Sequence, residues 1–271
     1  MHAYEYYYKK FFELVCPKIV FGSAWFNPFI VKFAKDMGIK TAEIQHGIIH
    51  KIHPGYNYGK AILNSKEYKK LIPDYMITYG KYWNNNFNRP TNKASIGKPH
   101  LVAKLNEAKR QTNKGQEDYI LIVSQPIVTH KMIDVAKFLA RNTEYRIIFR
   151  PHPKELSYRY LYSDLKQFTK VFIDEDSDIY DLIIKSKIII GHSSTTLFEA
   201  IPFNKTLYIL KDRLSEIIIP KDIGYFFSSV EELYALMNSD LPPKQLTHDN
   251  IQYYWDLNWK ENYQKFLQKI L

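Results

Sequence analysis

The sequence predicts an α/β protein made of two Rossmann-like domains facing a cleft, with the N-terminal domain reduced. Three observations predict this. Short apolar runs alternate with helical stretches on both sides of a polar segment. Several of those runs end in small polar residues or a histidine, at the sheet edge where α/β proteins bind ligands. The 271 residues suffice for one large domain or two smaller ones.

Residues 4–15 read as a helix, and Lys18–Ser23 as a short buried strand. Asn27 and Pro28 open a helix that runs to about Lys35 and is capped at Gly38. Thr41–Gln45 is the next strand and ends at His46-Gly47. This strand–helix–strand succession is the unit of a parallel sheet. Residues 48–72 look irregular with one helical piece; Tyr75–Gly80 and Ala94–Gly97 read as strands, with a helix start at Lys81. The N-terminal region offers few strands for a doubly wound sheet. It is either a reduced domain or one that lacks an N-terminal portion.

The polar stretch 106–117 reads as the domain boundary. Beyond it the alternation is clearer. Strands are expected at Tyr119–Ser124, Tyr145–Phe149, Val171–Asp174, Ile188–Ile190 and Thr206–Leu210. Helices are expected at Lys131–Arg141, Lys154–Phe168, Ile179–Lys185 and from Thr196, and the tail Tyr253–Leu271 reads as one helix. The expected division is therefore 1–105, 118–252 and a C-terminal helix 253–271.

Composition bounds the function. Hydrophobic residues make up 45 % of the chain, enough for a sizeable core. A single cysteine, Cys16, excludes an internal disulfide framework and a cysteine-rich metal site, and suits a reducing, cytoplasmic setting. No secretory signal and no apolar run of membrane-spanning length is visible. The formal charge of +10 favours an anionic partner such as a nucleotide, a nucleic acid or an acidic membrane surface. The lysines are dispersed rather than gathered on one run, which speaks against a nucleic-acid-binding protein.

Two corners carry the candidate chemistry. In Gly191-His192-Ser193-Ser194-Thr195-Thr196, hydroxyls and N–H groups at a strand end and helix start suit a phosphate; an ordinary N-cap explains one of those hydroxyls but not four. In Arg150-Pro151-His152-Pro153, the prolines restrict the backbone around an imidazole that could donate to a phosphate oxygen, and Arg150 could add positive charge. Glu199, one turn into the following helix, could hold a ribose or complement the helix start. His46 could take a proton from an attacking hydroxyl or be a buried loop histidine. His46, His50 and His53 lack the carboxylate or cysteine that would support a metal site. Asp176, Asp178 and Asp181 read as helix-capping residues.

The order His-Gly, then Arg-Pro-His-Pro, then an Asp-rich helix leading to Ser-Ser-x-x-Leu-Phe-Glu-Ala resembles the bacterial surface-polysaccharide glycosyltransferases of the GT-B fold. Within them it is similar to capsule-synthesis and teichoic-acid-polymerase-like groups and to sialyltransferases with His-Pro and Ser-Ser motifs. The resemblance covers residues 41 to about 210 and is most specific from Asp178 to Ala200. It implies a nucleotide-sugar donor, CMP- or CDP-linked before UDP-linked, with no cofactor and no metal. It also implies an acceptor that is a capsule- or lipopolysaccharide-type glycan or its lipid-linked precursor. His152, Ser193 and Ser194 would match the groups that hold the donor phosphate, and His46 the proposed general base; Arg150, Pro153, Thr195 and Glu199, read from the corners themselves, are expected beside them at the donor. An anionic inner-membrane surface is the expected docking partner, through basic and aromatic residues, with no nucleic acid. Two alternatives accompany this reading: a teichoic-acid-type glycerophosphotransferase, and a nucleotide-sugar 2-epimerase, whose Ser-Gly-Gly phosphate corner residues 193–196 do not repeat. The paired acid of the sialyltransferases is also missing at Lys35-Asp36-Met37-Gly38, which has one acid.

Overall fold

The computed structural model describes residues 2–24, 26–110, 119–242, 244 and 246–271. They form two compact units, one of residues 1–99 and 249–271, the other of residues 100–248.

The first unit is built on four parallel strands in sequence order: β1 (Ile19–Ser23), β2 (Lys40–Ile44), β3 (Tyr75–Thr78) and β4 (Asn92–Ser95). Helix His2–Val15 packs on helix Pro28–Asp36 through Phe12, Phe33 and Ala34. Asn27 caps the second of these by accepting the N–H of Phe29 at 2.9 Å, ahead of a proline that needs no donor in the first turn. The irregular stretch holds two short helices, Lys60–Asn64 and Lys66–Lys70, rather than one.

Two expectations about the chain's division differ from the structure. Helix Pro99–Arg110 occupies the start of the stretch read as a boundary, because Leu101 and Leu105 are buried on one face of an otherwise polar segment; residues 111–117 of that stretch lie outside the described residues. The tail is two helices, His248–Tyr254 and Trp259–Ile270, and from Asp249 it belongs to the N-terminal unit. Trp83 Nε1 donates to the Tyr254 carbonyl at 2.7 Å, and Asp256 N donates to the Tyr79 carbonyl at 2.7 Å. Gly97, with φ +110°, passes so close to Asp256 that a Cβ would lie 2.1 Å from its carbonyl oxygen. Phe266 of the last helix packs against Ala42, Ile77 and Ile96 over the sheet.

The second unit is a six-stranded parallel sheet of β5 (Tyr119–Val123), β6 (Arg146–Arg150), β7 (Val171–Ile173), β8 (Ser186–Gly191), β9 (Thr206–Leu210) and β10 (Tyr225–Phe227). Its spatial order is β7-β6-β5-β8-β9-β10. Renumbered from β5, this is the 3-2-1-4-5-6 order of a doubly wound sheet, with the topological switch between β5 and β8. β5 is buried along its whole length, as an all-apolar central parallel strand should be. Helix Thr129–Asn142 covers it with Met132, Ile133, Val135, Ala136 and Leu139. Each such side chain contributes about 1.5–3 kcal/mol of burial, Ala136 less. Residues 153–167 form two 3-10 helices, Pro153–Leu161 and Ser163–Gln167, where an α-helix was expected. Tyr158 (φ −128°, ψ 39°) breaks the first. Among the described residues no helix is long and apolar enough to cross a membrane.

Candidate functional site

The switch point brings three loops of the C-terminal unit together: Ser124–Thr129 after β5, Pro151–Glu155 after β6 and His192–Thr195 after β8. Both strands flanking β5 thus deliver a corner singled out from the sequence. Gly191 closes the approach of β8 to β5, since a Cβ there would lie 2.7 Å from Val123 Cγ2.

At the β8 corner Ser193, Ser194 and Thr195 are half-buried. Ser194 Oγ is the helix N-cap and accepts the N–H of Thr196 at 3.2 Å. Ser193 is held across the switch point by Gln125. Its hydroxyl donates to Gln125 Oε1 at 2.7 Å, and Gln125 Nε2 donates to the Ser193 carbonyl at 3.0 Å. Behind it His192 is fully buried, with Nδ1 2.9 Å from Ser193 Oγ and Nε2 2.8 Å from Asp212 Oδ1. Burial works against the charge of Asp212, yet the backbone N–H of Ser215 and His192 hold its carboxyl below the usual range.

At the β6 corner His152 caps the 3-10 helix that follows. Its Nδ1 accepts the N–H of Lys154 at 3.1 Å, so the neutral ring carries its proton on Nε2. Burial lowers the imidazole below its ordinary 6.5, with Glu155 opposing and Lys154 adding to the shift, so the ring is neutral at physiological pH. His152 therefore presents an N–H donor without a formal charge. Beneath it Glu155 is 1 % exposed and accepts from three groups: the His152 N–H at 2.5 Å, Ser124 Oγ at 2.8 Å, and Thr129 Oγ1. These donors satisfy a buried carboxylate with hydrogen bonds from the chain itself.

The other sequence-chosen residues of this unit sit less openly. Arg150 Nη1 is bound to Asp174 Oδ1 at 2.7 Å and to the Asp174 carbonyl at 3.2 Å, tying the ends of β6 and β7 together. Pro153 opens the 3-10 helix. Glu199 is buried within helix Thr195–Ala200. Asp178 caps helix Ile179–Lys185, as expected, and together with Asp181 holds Lys104 at 2.9 and 3.0 Å.

In the N-terminal unit His46 is exposed just past the end of β2. Its loop is anchored from both sides. Gln45 accepts the Tyr79 N–H at 3.0 Å and donates to the Gly47 carbonyl at 2.8 Å. Farther along, Glu43 (1 % exposed) accepts from Tyr56 OH at 2.8 Å and from Arg89 Nη2 at 2.7 Å. Arg89 also stacks over the Tyr56 ring at 5.2 Å. The His50 and His53 rings lie 5.3 Å apart, tilted 56° to each other, and His53 Nδ1 accepts the Gly55 N–H at 3.1 Å. Burial and the neighbouring His53 push His50 down to about 4.

These two parallel sheets match solved structures along nearly the whole chain. A UDP-GlcNAc 2-epimerase from Neisseria meningitidis, bound to UDP-GlcNAc, is similar over 98 % of this chain and 80 % of its own, with a TM-score of 0.68 and 13 % identity. The fold is GT-B. The Methanocaldococcus jannaschii UDP-GlcNAc 2-epimerase, in complex with UDP-GlcNAc and UDP, gives a TM-score of 0.66 at 15 % identity over 98 % and 79 % of the two chains. The wall teichoic acid polymerase TagF gives 0.54 at 13 % identity over 86 % and 68 %. No family model and no curated protein matches by sequence.

In this GT-B chain the sequence reading missed Ser124, Gln125, Thr129, Glu155 and Asp212, which build the two corners from behind. Ser124-Gln125-Pro126 at the end of an all-apolar strand was the signal that could have drawn attention to Gln125.

Proposed function

We propose that the chain is a glycosyltransferase that moves a sugar from a nucleotide-activated donor onto a surface glycan or its lipid-linked precursor, without a metal ion. One observation supports this reading above others. At the switch point of a single sheet, the neutral N–H donor of His152 and the hydroxyl corner Ser193–Thr195 flank the end of β5. Hydrogen-bond donors fixed on strand ends suit the phosphates of a nucleotide, and they stabilise charge that grows on the leaving phosphate without reorganising.

On this reading His46 takes the proton of the acceptor hydroxyl. The freed oxygen attacks the anomeric carbon, and the sugar–phosphate bond breaks with its electron pair leaving on the nucleotide. With a glycerol-phosphate donor, as in a teichoic-acid-type enzyme, the attack falls on phosphorus instead. His152, Ser194 and Thr195 hold the departing phosphate, with Ser193 shaping the same corner. Arg150 and Pro153 set the β6 corner, and Glu199 accepts from the ribose. The UDP-GlcNAc and UDP of the similar epimerases weigh toward a UDP-linked donor, ahead of the CMP- and CDP-linked donors suggested by the motifs. An acceptor on a cytoplasmic, anionic membrane surface belongs to the same proposal.

A nucleotide-sugar 2-epimerase is the second reading, favoured by the TM-scores of 0.68 and 0.66 to enzymes of that activity. The two separate cleanly, because an epimerase turns over UDP-GlcNAc with no acceptor present. The donor site itself is tested by thermal shift with CMP, CDP, UDP, GDP and ADP on wild type and His152→Ala. A ligand at 100 times its dissociation constant stabilises by about 2.7 kcal/mol. The expected result is stabilisation by one nucleotide that is lost in the variant; no shift with any nucleotide removes the reading.

A further inference from the structure

The hydroxyl of Ser193 is already committed on both sides. Gln125 Oε1, 2.7 Å away, has no proton, so the hydrogen between them is the serine's. The serine oxygen also lies 2.9 Å from His192 Nδ1, a second contact that holds it from behind. Gln125 also fixes the main chain at this point. Its Nε2 holds the Ser193 carbonyl at 3.0 Å. In a trans peptide the carbonyl and the following N–H point in opposite directions. Holding the Ser193 carbonyl toward β5 therefore turns the Ser194 N–H away from it. A single carboxamide so sets one side chain and one peptide plane of the β8 corner, from 68 residues away in sequence.

From this geometry we infer that Gln125 is the positioning residue of the donor-phosphate site, a two-point clamp that orients the Ser193–Ser194 peptide and holds the Ser193 hydroxyl back from the ligand. This rests on the donor-phosphate reading above. Ser193 then contributes mainly through its place in the clamp, and its proton reaches a phosphate oxygen only after leaving Gln125. Ser194 and Thr195, which the clamp does not bind, meet the phosphate directly. The role suits an amide and no other side chain of that length. Glutamate keeps the acceptor for the Ser193 hydroxyl but replaces the N–H that holds the carbonyl with an oxygen, and it sets a negative charge beside the ligand.

The test is calorimetric titration of UDP and of uridine into wild type, Gln125→Leu, Gln125→Glu, Ser193→Ala and the Gln125→Leu/Ser193→Ala double variant, with thermal unfolding of each protein alone. UDP affinity is expected to fall about tenfold in Gln125→Leu and further in Gln125→Glu, while uridine affinity stays within twofold. The double variant is expected to match Gln125→Leu, because both changes break one clamp. A merely structural role would weaken uridine and UDP together, in step with the loss of melting temperature, and would overturn the inference. Unchanged UDP affinity in both Gln125 variants would overturn it as well, leaving the donor reading intact provided wild type binds UDP. If wild type bound no UDP, the same comparison would be made with CDP and cytidine, and if it bound neither diphosphate the donor reading and the clamp would fall together.

Discussion

Glu155 Oε2 accepts the backbone N–H of His152 at 2.5 Å, while its other oxygen takes the hydroxyls of Ser124 and Thr129. One buried carboxylate therefore joins the end of β5, the helix that follows it and the histidine corner after β6. Replacing it by an apolar side chain of similar size would orphan three donors. An unsatisfied buried donor costs about 1–3 kcal/mol, less where a hydroxyl can rotate to another acceptor. Glu155→Leu is expected to lose about 2–4 kcal/mol in urea unfolding, and Glu155→Gln distinctly less. A loss under about 1 kcal/mol in the leucine variant would contradict this account of the corner.

His50 gives the stability a pH dependence of known sign. Its imidazole is pushed from 6.5 down to about 4, first by burial and then by His53. The unfolded chain therefore binds the proton more readily than the folded one. Stability from this group is fully present above pH 6.5 and is lost as pH falls toward about 4. One histidine sets a slope of at most about 1.4 kcal/mol per pH unit, and partial exposure makes the real figure smaller. Urea unfolding at pH 7, 6 and 5 is expected to show a flatter profile for His50→Gln than for wild type. Parallel profiles would mean that the proton enters His50 without opposition.

Local pattern made the strands and corners of the C-terminal unit readable. β5, β6, β8 and β9 are apolar runs bounded by polar residues, and His152 and Ser193–Thr195 stand where those runs stop. β10, the aromatic run Tyr225–Phe227 between Gly224 and Ser228, is not among the expected strands. What holds the corners in place is non-local. Glu155 reaches Ser124 across 31 residues, and Gln125 reaches Ser193 across 68, so neither partner marks the other in sequence. The same holds for the tail, whose aromatic residues read as a single helix. The Trp83–Tyr254 bond spans 171 residues, and the break between the last two helices falls where the chain turns onto the Tyr79 carbonyl. Residues 153–167 carried helical composition, yet Pro153 and the His152 capping box start a tighter 3-10 turn.

The Glu43–Arg89 pair is buried on both sides, with 1 % and 9 % of the side chains exposed. Removing one partner of such a pair leaves an uncompensated charge, at about 3–5 kcal/mol. Tyr56 adds one hydrogen bond to the same carboxylate. Arg89→Leu is expected to lose about 3–5 kcal/mol in thermal or urea unfolding, and Tyr56→Phe about 1.5–3 kcal/mol. Equal losses in the two variants would mean that the ion pair is no stronger than the single tyrosine hydrogen bond to the same carboxylate.

His46 separates proton transfer from donor binding. It is exposed, and the Gln45 bonds to Tyr79 and Gly47 fix the backbone on either side without using its ring. Its removal should therefore leave the fold intact. If it serves as the proposed base, it acts on the acceptor hydroxyl and makes no contact that the donor needs. General-base catalysis contributes about 10²–10⁴-fold. His46→Ala is expected to lower kcat by that range once an acceptor is supplied, with nucleotide dissociation constants unchanged, whereas His152→Ala raises them. Because fixed hydrogen-bond donors rather than a cation are proposed to meet the leaving phosphate, EDTA should leave the wild-type rate unchanged. A His46→Ala enzyme with wild-type kcat would move the base elsewhere, and a rate abolished by EDTA and restored by magnesium would replace the metal-free mechanism.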